Sequence, residues 1–169
     1  METLLPIAAR AGALLKARGE TVAVAESSAG GLVSAALLAL PGASAYFLGG
    51  GVIYTRAARE GLLGITAAQM EGLRPSTEPY AALLAGTARA RLGTSWGLGE
   101  TGASGPAGNR YGDPAGHACL GIAGPVSRTL TLATGSDDRG GNMRLFGARL
   151  LELLVECLEA APAADRVPG

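Results

Sequence analysis

Apolar residues recur at helical spacing from the start of the chain, at Leu4, Leu5, Ala8, Ala11, Leu14 and Leu15, and the pattern stops at Gly19. The period then changes. Residues 21–25 read Thr-Val-Ala-Val-Ala and predict a buried strand, and helical spacing returns over 29–40 until Pro41-Gly42. The stretch 45–54 is apolar and glycine-rich, with Gly49-Gly50-Gly51 leading into a second strand at 52–54. A short helix is predicted over 56–63, closed by Gly64. Residues 78–92 form an amphipathic pattern with Pro79 in the first turn and Leu83, Leu84, Ala88 and Leu92 inward. Strands are expected at 95–100 and 117–123, separated by a loop containing Gly, Pro and Asn; 127–134 alternates Ser, Thr and Arg with Leu, as a hairpin partner or edge strand does. A final helix is predicted over 141–159 with Leu145, Ala148, Leu151, Leu154 and Val155 inward, followed by a disordered tail, 161–169. Helices and strands alternate through most of the chain, with an antiparallel hairpin late. The fold class expected is α/β: a single-domain α/β/α sandwich with a mixed sheet over residues 1–160, its ligand site near one edge of the sheet.

Composition narrows the function. The 169 residues suffice for one domain with a core, and 14 basic against 14 acidic residues leave no net charge and no long run of either sign. A general nucleic-acid or acidic-membrane surface is therefore not indicated, and any anion site must be local. No apolar block reaches the length of a membrane span, which predicts a soluble, cytoplasmic protein. Cys119 and Cys157 lie in apolar patterns without metal-ligand spacing and read as buried thiols in a reducing compartment.

Chemistry concentrates where the first strand runs out, at Glu26-Ser27-Ser28-Ala29-Gly30-Gly31. Two hydroxyls at a helix start, with backbone N–H groups free and Gly30 and Gly31 letting a ligand close to the main chain, suit a phosphate or an oxyanion. A Ser N-cap with glycines for tight packing accounts for the same residues.

Three segments together resemble the C-terminal domain family of the CinA competence/damage-inducible proteins, whose active members are nicotinamide-nucleotide amidases. Ala25-Glu26-Ser27-Ser28-Ala29-Gly30-Gly31 is similar to the family's Ala-Glu-Ser-Cys-Thr-Gly-Gly. Pro41-Gly42-Ala43-Ser44, with 49–54 and Leu62-Leu63-Gly64, is similar to its glycine-valine-tyrosine block. Thr101-Gly102-Ala103-Ser104-Gly105-Pro106, followed by Pro114-Ala115-Gly116, resembles its Thr-Gly-Ile-Ala-Gly-Pro and later Pro-Val-Gly. Full-length members carry a further N-terminal domain, so the chain looks like a stand-alone form.

The resemblance implies hydrolysis of nicotinamide mononucleotide to nicotinic acid mononucleotide and ammonia, in pyridine-nucleotide salvage, with no metal or cofactor. Ser27 occupies the position of the family serine and is the expected nucleophile; Ser28 stands where the family has cysteine. Tyr54 is expected to hydrogen-bond the substrate or orient Ser27. Glu26, Ser28, Gly30, Gly31, Ser44, Thr101, Ser104 and Arg139 are the expected substrate-binding set, with Arg144 a second candidate phosphate ligand. Arg139 and Arg144 serve equally well to solvate the start of the last helix, and a plain turn accounts for Thr101 and Ser104.

One departure changes the chemistry. The family lysine falls at Arg59, and a guanidinium stays protonated, so it holds an anion but cannot take a proton from serine. His117, the only histidine, is a candidate replacement base. The alternative reading is a catalytically silent module that keeps a nucleotide pocket or serves in assembly; a generic amidase lacks support, because no Gly-x-Ser-x-Gly elbow is present. The expected ligand is a small pyridine mononucleotide. The Ala- and Leu-rich helices have surface enough for a homo-oligomer, although core burial accounts for the same residues.

Overall fold

The computed structural model of the chain describes residues 1–162. Five strands form one mixed sheet in the order β2-β1-β3-β4-β5. They are β1 (Val22–Glu26), β2 (Phe47–Val52), β3 (Trp96–Ala103), β4 (His117–Ala123) and β5 (Arg128–Ala133). β1 is parallel to both β2 and β3, whereas β3, β4 and β5 are successively antiparallel. The α/β/α sandwich with a mixed sheet is thus the observed architecture, and 127–134 is the edge strand of the hairpin.

The helices α1 (Leu5–Arg18), α2 (Leu32–Leu38) and α5 (Arg139–Ala160) cover one face, and α3 (Arg56–Leu63) and α4 (Glu78–Leu92) cover the other. Strand alternation sorts the two cores. Val22 and Val24 pack with Leu15, Leu37, Phe146 and Leu150 on the first face, while Ala23 and Ala25 meet Ile65, Tyr80 and Leu84 on the second. In β3 the second face carries Gly97 and Gly99, where a Cβ would collide with the backbone carbonyls of Ala85 and Ala81. These glycines let α4 lie directly on the sheet, and they commit Leu98 and Glu100 to the opposite face.

Several boundaries differ from expectation. α2 is shorter than 29–40, because residues 27–31 form a loop before the first helical turn. β2 ends at Val52, leaving Ile53 and Tyr54 beyond the strand, and β3 continues through Thr101 to Ala103. Leu92 and Leu145, expected inward, are 46% and 52% exposed: Leu92 closes α4 beside Gly93, and Leu145 lies beyond the stripe that carries Phe146 and Leu150. The tail expectation falls outside the described residues from 163 onward. Cys119 and Cys157 are buried free thiols, and burial raises both above the ordinary thiol range. Among the described residues, no helix is long and apolar enough to cross a membrane.

Candidate functional site

β1 has a neighbour on each side, so the chain leaves it for β2 and then returns past it to β3. Ligands of open α/β sheets sit at the carboxyl ends of strands where the order reverses in this way. A pocket of about 720 Å³ lies there, lined by Ser27 after β1, Ile53 and Tyr54 after β2, and Thr101 and Gly102 at the end of β3. Its outer wall comes from α3 and from the loop residues Arg74, Ser76, Arg110 and Tyr111.

Alternation along β1 continues into the site. Glu26 follows Val22 and Val24 to the α2 side and is fully buried, whereas Ser27 follows Ala23 and Ala25 toward the pocket. The Glu26 carboxylate accepts from the backbone N–H groups of Gly31 (3.0 Å), Val33 (3.0 Å) and Ser34 (2.8 Å), and from Ser34 Oγ (2.7 Å). It therefore caps α2, whose first N–H groups the sequence left open for a ligand. That expectation is corrected: the donors at this helix start are already used.

A second buried carboxylate supports the same loop from below. Glu100, on β3, accepts from the backbone N–H of Ser27 (2.9 Å) and Ala29 (2.8 Å) and from Ser28 Oγ. Burial, opposed by these donors and assisted by the nearby Glu26, pushes its carboxyl up to about 7. Ser28 is committed to Glu100, which leaves Ser27 as the hydroxyl of this segment that borders the pocket.

The opposite wall is cationic. Thr55 caps α3 by accepting from the Ala58 N–H (3.1 Å), and one turn later Arg59 is buried with its Nε unpartnered. Tyr80 lies next to it: burial raises the phenol, while the Arg59 guanidinium pulls the other way. Arg74 binds both carboxylate oxygens of Asp113 at 2.7 and 3.0 Å and, with Asn109 and His117, holds that acid down to about 2. Arg110 and Arg74 stack over Tyr111, 5.1 and 5.6 Å from its ring centre.

The remaining expected residues scatter. Thr101 lines the pocket and accepts from the Ser76 N–H at 3.1 Å, holding Ser76 at a φ of 60°. Gly30 lies beside Met143 of α5, and Gly31 beside Val52, at the α2 start. Ser44 sits in the turn before β2, at the far end of the sheet, ~20 Å away at the usual strand rise. Ser104 is buried with its Oγ unpartnered, and its carbonyl accepts from Asn142 at 2.8 Å. Arg139 donates to Gly105 O (2.7 Å) and reaches the Tyr54 hydroxyl at 3.4 Å, which ties the start of α5 to the pocket mouth. Arg144 is exposed on α5. His117 does not line the pocket: its Nε2 donates to Ser76 O at 3.0 Å and lies 3.9 Å from Asp113, so it braces the wall from outside. Sequence reading missed Glu100, Arg74, Arg110 and Tyr80. Only Glu100 left a signal, as an acid inside the apolar run Trp96-Gly-Leu-Gly-Glu100. Among the described residues, no cluster of three or more His, Cys, Asp or Glu side chains is placed to hold a metal.

Known proteins share this framework. The chain is 36% identical over 154 residues to a CinA-like protein of Synechococcus sp. (strain CC9902), a match covering 91% of the chain and 34% of that relative. It is 46% identical over 142 residues to a CinA-like protein of Anaeromyxobacter dehalogenans, covering 84% and 35%. The chain thus spans about a third of the length of these curated relatives. The crystal structure of a competence-damaged protein (CinA) superfamily protein from Klebsiella pneumoniae superposes with a TM-score of 0.86 at 22% identity, covering 93% of this chain and 98% of that one, a likeness of fold. The model of the CinA C-terminal domain matches residues 5–158, and with these relatives it establishes that the chain belongs to the CinA C-terminal domain family.

Proposed function

We propose that the pocket takes nicotinamide mononucleotide and that Ser27 attacks its carboxamide carbon, yielding nicotinic acid mononucleotide and ammonia. The observation that carries this reading is the division of labour after β1. Glu26 and Ser28 are spent on holding the loop, and Ser27 alone of the three borders the pocket. In the proposed reaction, Ser27 Oγ bonds to the carbonyl carbon and its proton passes, through solvent, to the departing nitrogen. Collapse of the tetrahedral intermediate expels the nitrogen as ammonia, and water then cleaves the acyl-serine to the free acid. Tyr54, at the pocket mouth, is a hydrogen-bond donor for the substrate. A cytoplasmic setting and pyridine-nucleotide salvage belong to the same proposal, as does a homo-oligomeric state.

Arg59 supports a second reading. It stands where the resembling family has lysine, and a guanidinium cannot take the serine proton as an uncharged amine can. A pocket that binds the mononucleotide without turning it over is the alternative. Ammonia release from nicotinamide mononucleotide by the purified chain decides between them, with Ser27→Ala and Arg59→Lys run in parallel. Release that Ser27→Ala abolishes supports the amidase. Binding without release, converted to release by Arg59→Lys, supports the silent module and identifies the missing base.

A further inference from the structure

We propose that two copies of the chain join edge to edge through β2, antiparallel about a two-fold axis at Gly50, so that their sheets become one. The proposal rests on the homo-oligomeric reading above and gives it a surface.

The sheet ends in β2 on one side and β5 on the other, and only β5 is guarded. There Arg128 pairs with Glu156 at 2.8 Å, and the Thr129 and Thr131 hydroxyls donate to Glu78. Charged groups along an edge strand keep other strands from adding to it. β2, which reads Phe-Leu-Gly-Gly-Gly-Val, has neither a charge nor a proline. The Ile53 N–H donates to Glu26 O, so by alternation Gly51 and Gly49 also turn toward β1, and Val52 and Gly50 turn their backbone groups to the open side. A bulge at Leu48 starts the strand and leaves 49–52 in regular register with β1. Gly50 itself is exposed.

Apolar side chains gather around this same edge. Of the eight large ones exposed among the described residues, five flank it: Leu48 and Val52 on β2, with Leu38, Leu62 and Leu92 beside them. Leu92 lies 3.2 Å from where a Cβ on Gly49 would stand, and Leu62 lies 3.9 Å from one on Gly51. Leu38 follows one helical turn after Ser34, whose Oγ sits against Gly50. Together the five expose roughly 450 Å² per copy, about 900 Å² over a symmetric pair before the strand backbone is counted, against the ~1,000 Å² that a specific interface clears.

Symmetry selects a second copy as the occupant. Leu48 and Val52 stand two residues to either side of Gly50, so a two-fold axis there sets Leu48 of each copy opposite Val52 of the other. Apolar meets apolar at both ends, and the glycines between them carry no side chains to hold the strands apart.

Sedimentation of the full chain over a concentration series tests the interface, with melting recorded for each variant. The parent is expected to run as a dimer, and Leu48→Glu to dissociate about tenfold or more readily. The register predicts a finer result. Leu48→Glu combined with Val52→Lys places opposite charges across the axis and should dimerise about tenfold or more tightly than Leu48→Glu combined with Val52→Glu, which places like charges there. Leu145→Lys, on α5 away from the edge, should leave the dimer unchanged. A monomer at every concentration defeats both the homo-oligomer and this interface. A dimer that Leu48→Glu leaves as tight, or that the opposite charges leave as weak as the like charges, defeats the interface alone. Should Leu48→Glu fail to fold, the exposed Leu62→Glu takes its place, and an undiminished dimer then overturns the proposal equally.

Discussion

The two walls of the pocket treat their polar groups in opposite ways. On the β1 side, every oxygen of Glu26 and Glu100 accepts at least one hydrogen bond from residues 27–34. On the α3 side, a buried guanidinium keeps an unmet Nε–H, and four arginines line the pocket with no acid among the lining residues. Satisfied polar groups in a low-dielectric interior fix geometry, because moving any of them strands another. The first wall therefore holds Ser27 at a set position, and the second lines the same pocket with arginines.

The largest effect should come from the side chain that the first wall presents. Ser27→Ala is expected to lower ammonia release by about 10³-fold or more while mononucleotide affinity stays within about twofold. Retained turnover would remove Ser27 from the chemistry. Next comes the cap: Glu26→Ala strips four hydrogen bonds from the start of α2 and should destabilise the fold by about 3 kcal/mol in urea titration. A loss under about 1 kcal/mol would show that the helix start finds other acceptors.

Glu100 should make stability depend on pH. Its carboxyl, at 4.5 when unfolded and about 7 in the fold, holds its proton more tightly in the native state. The stabilisation is complete below 4.5 and is lost as pH rises through that window to 7, a decline of about 3 kcal/mol. Glu100→Gln is expected to flatten the urea midpoint across this range; an unchanged slope would mean that the carboxyl is not the titrating group. The smallest effect belongs to the second wall. Thr55→Ala removes the cap of the helix that carries Arg59 and should cost about 1 kcal/mol. If mononucleotide affinity falls with it, α3 geometry shapes the pocket; if affinity holds, packing of Arg59 against Tyr80 suffices.

Local pattern made some elements readable to the residue. The expectations 56–63, 78–92 and 117–123 coincide with α3, α4 and β4, because Thr55 and Gly64, Thr77 and Gly93, and the turn at Gly116 punctuate them chemically. Where punctuation is ambiguous the boundaries moved. Ser27, Ser28, Gly30 and Gly31 suit a helix start as well as a loop, and only the paired carboxylates beneath them select the loop. Ser44 and Thr101 stand in motifs of similar chemistry, yet the turn before β2 sends one to the far end of the sheet and the extension of β3 carries the other into the pocket. His117 illustrates the same point, since an imidazole of suitable chemistry ends up bonded to Ser76 O behind the wall.

The sequence by itself determined the α/β class, the order of the elements, the family and the position of Ser27 in its motif. These follow from short-range periodicity, turn chemistry and motif order, which the chain carries along its length. Tertiary structure alone decided that Glu26 caps a helix, that Glu100 lies beneath the Ser27 loop and that arginines from four separate positions surround one cavity. Those outcomes depend on which strands pair and which face each side chain takes, and contacts between residues 71 to 73 positions apart, such as Glu100 with Ala29 and Ser27, leave no local trace.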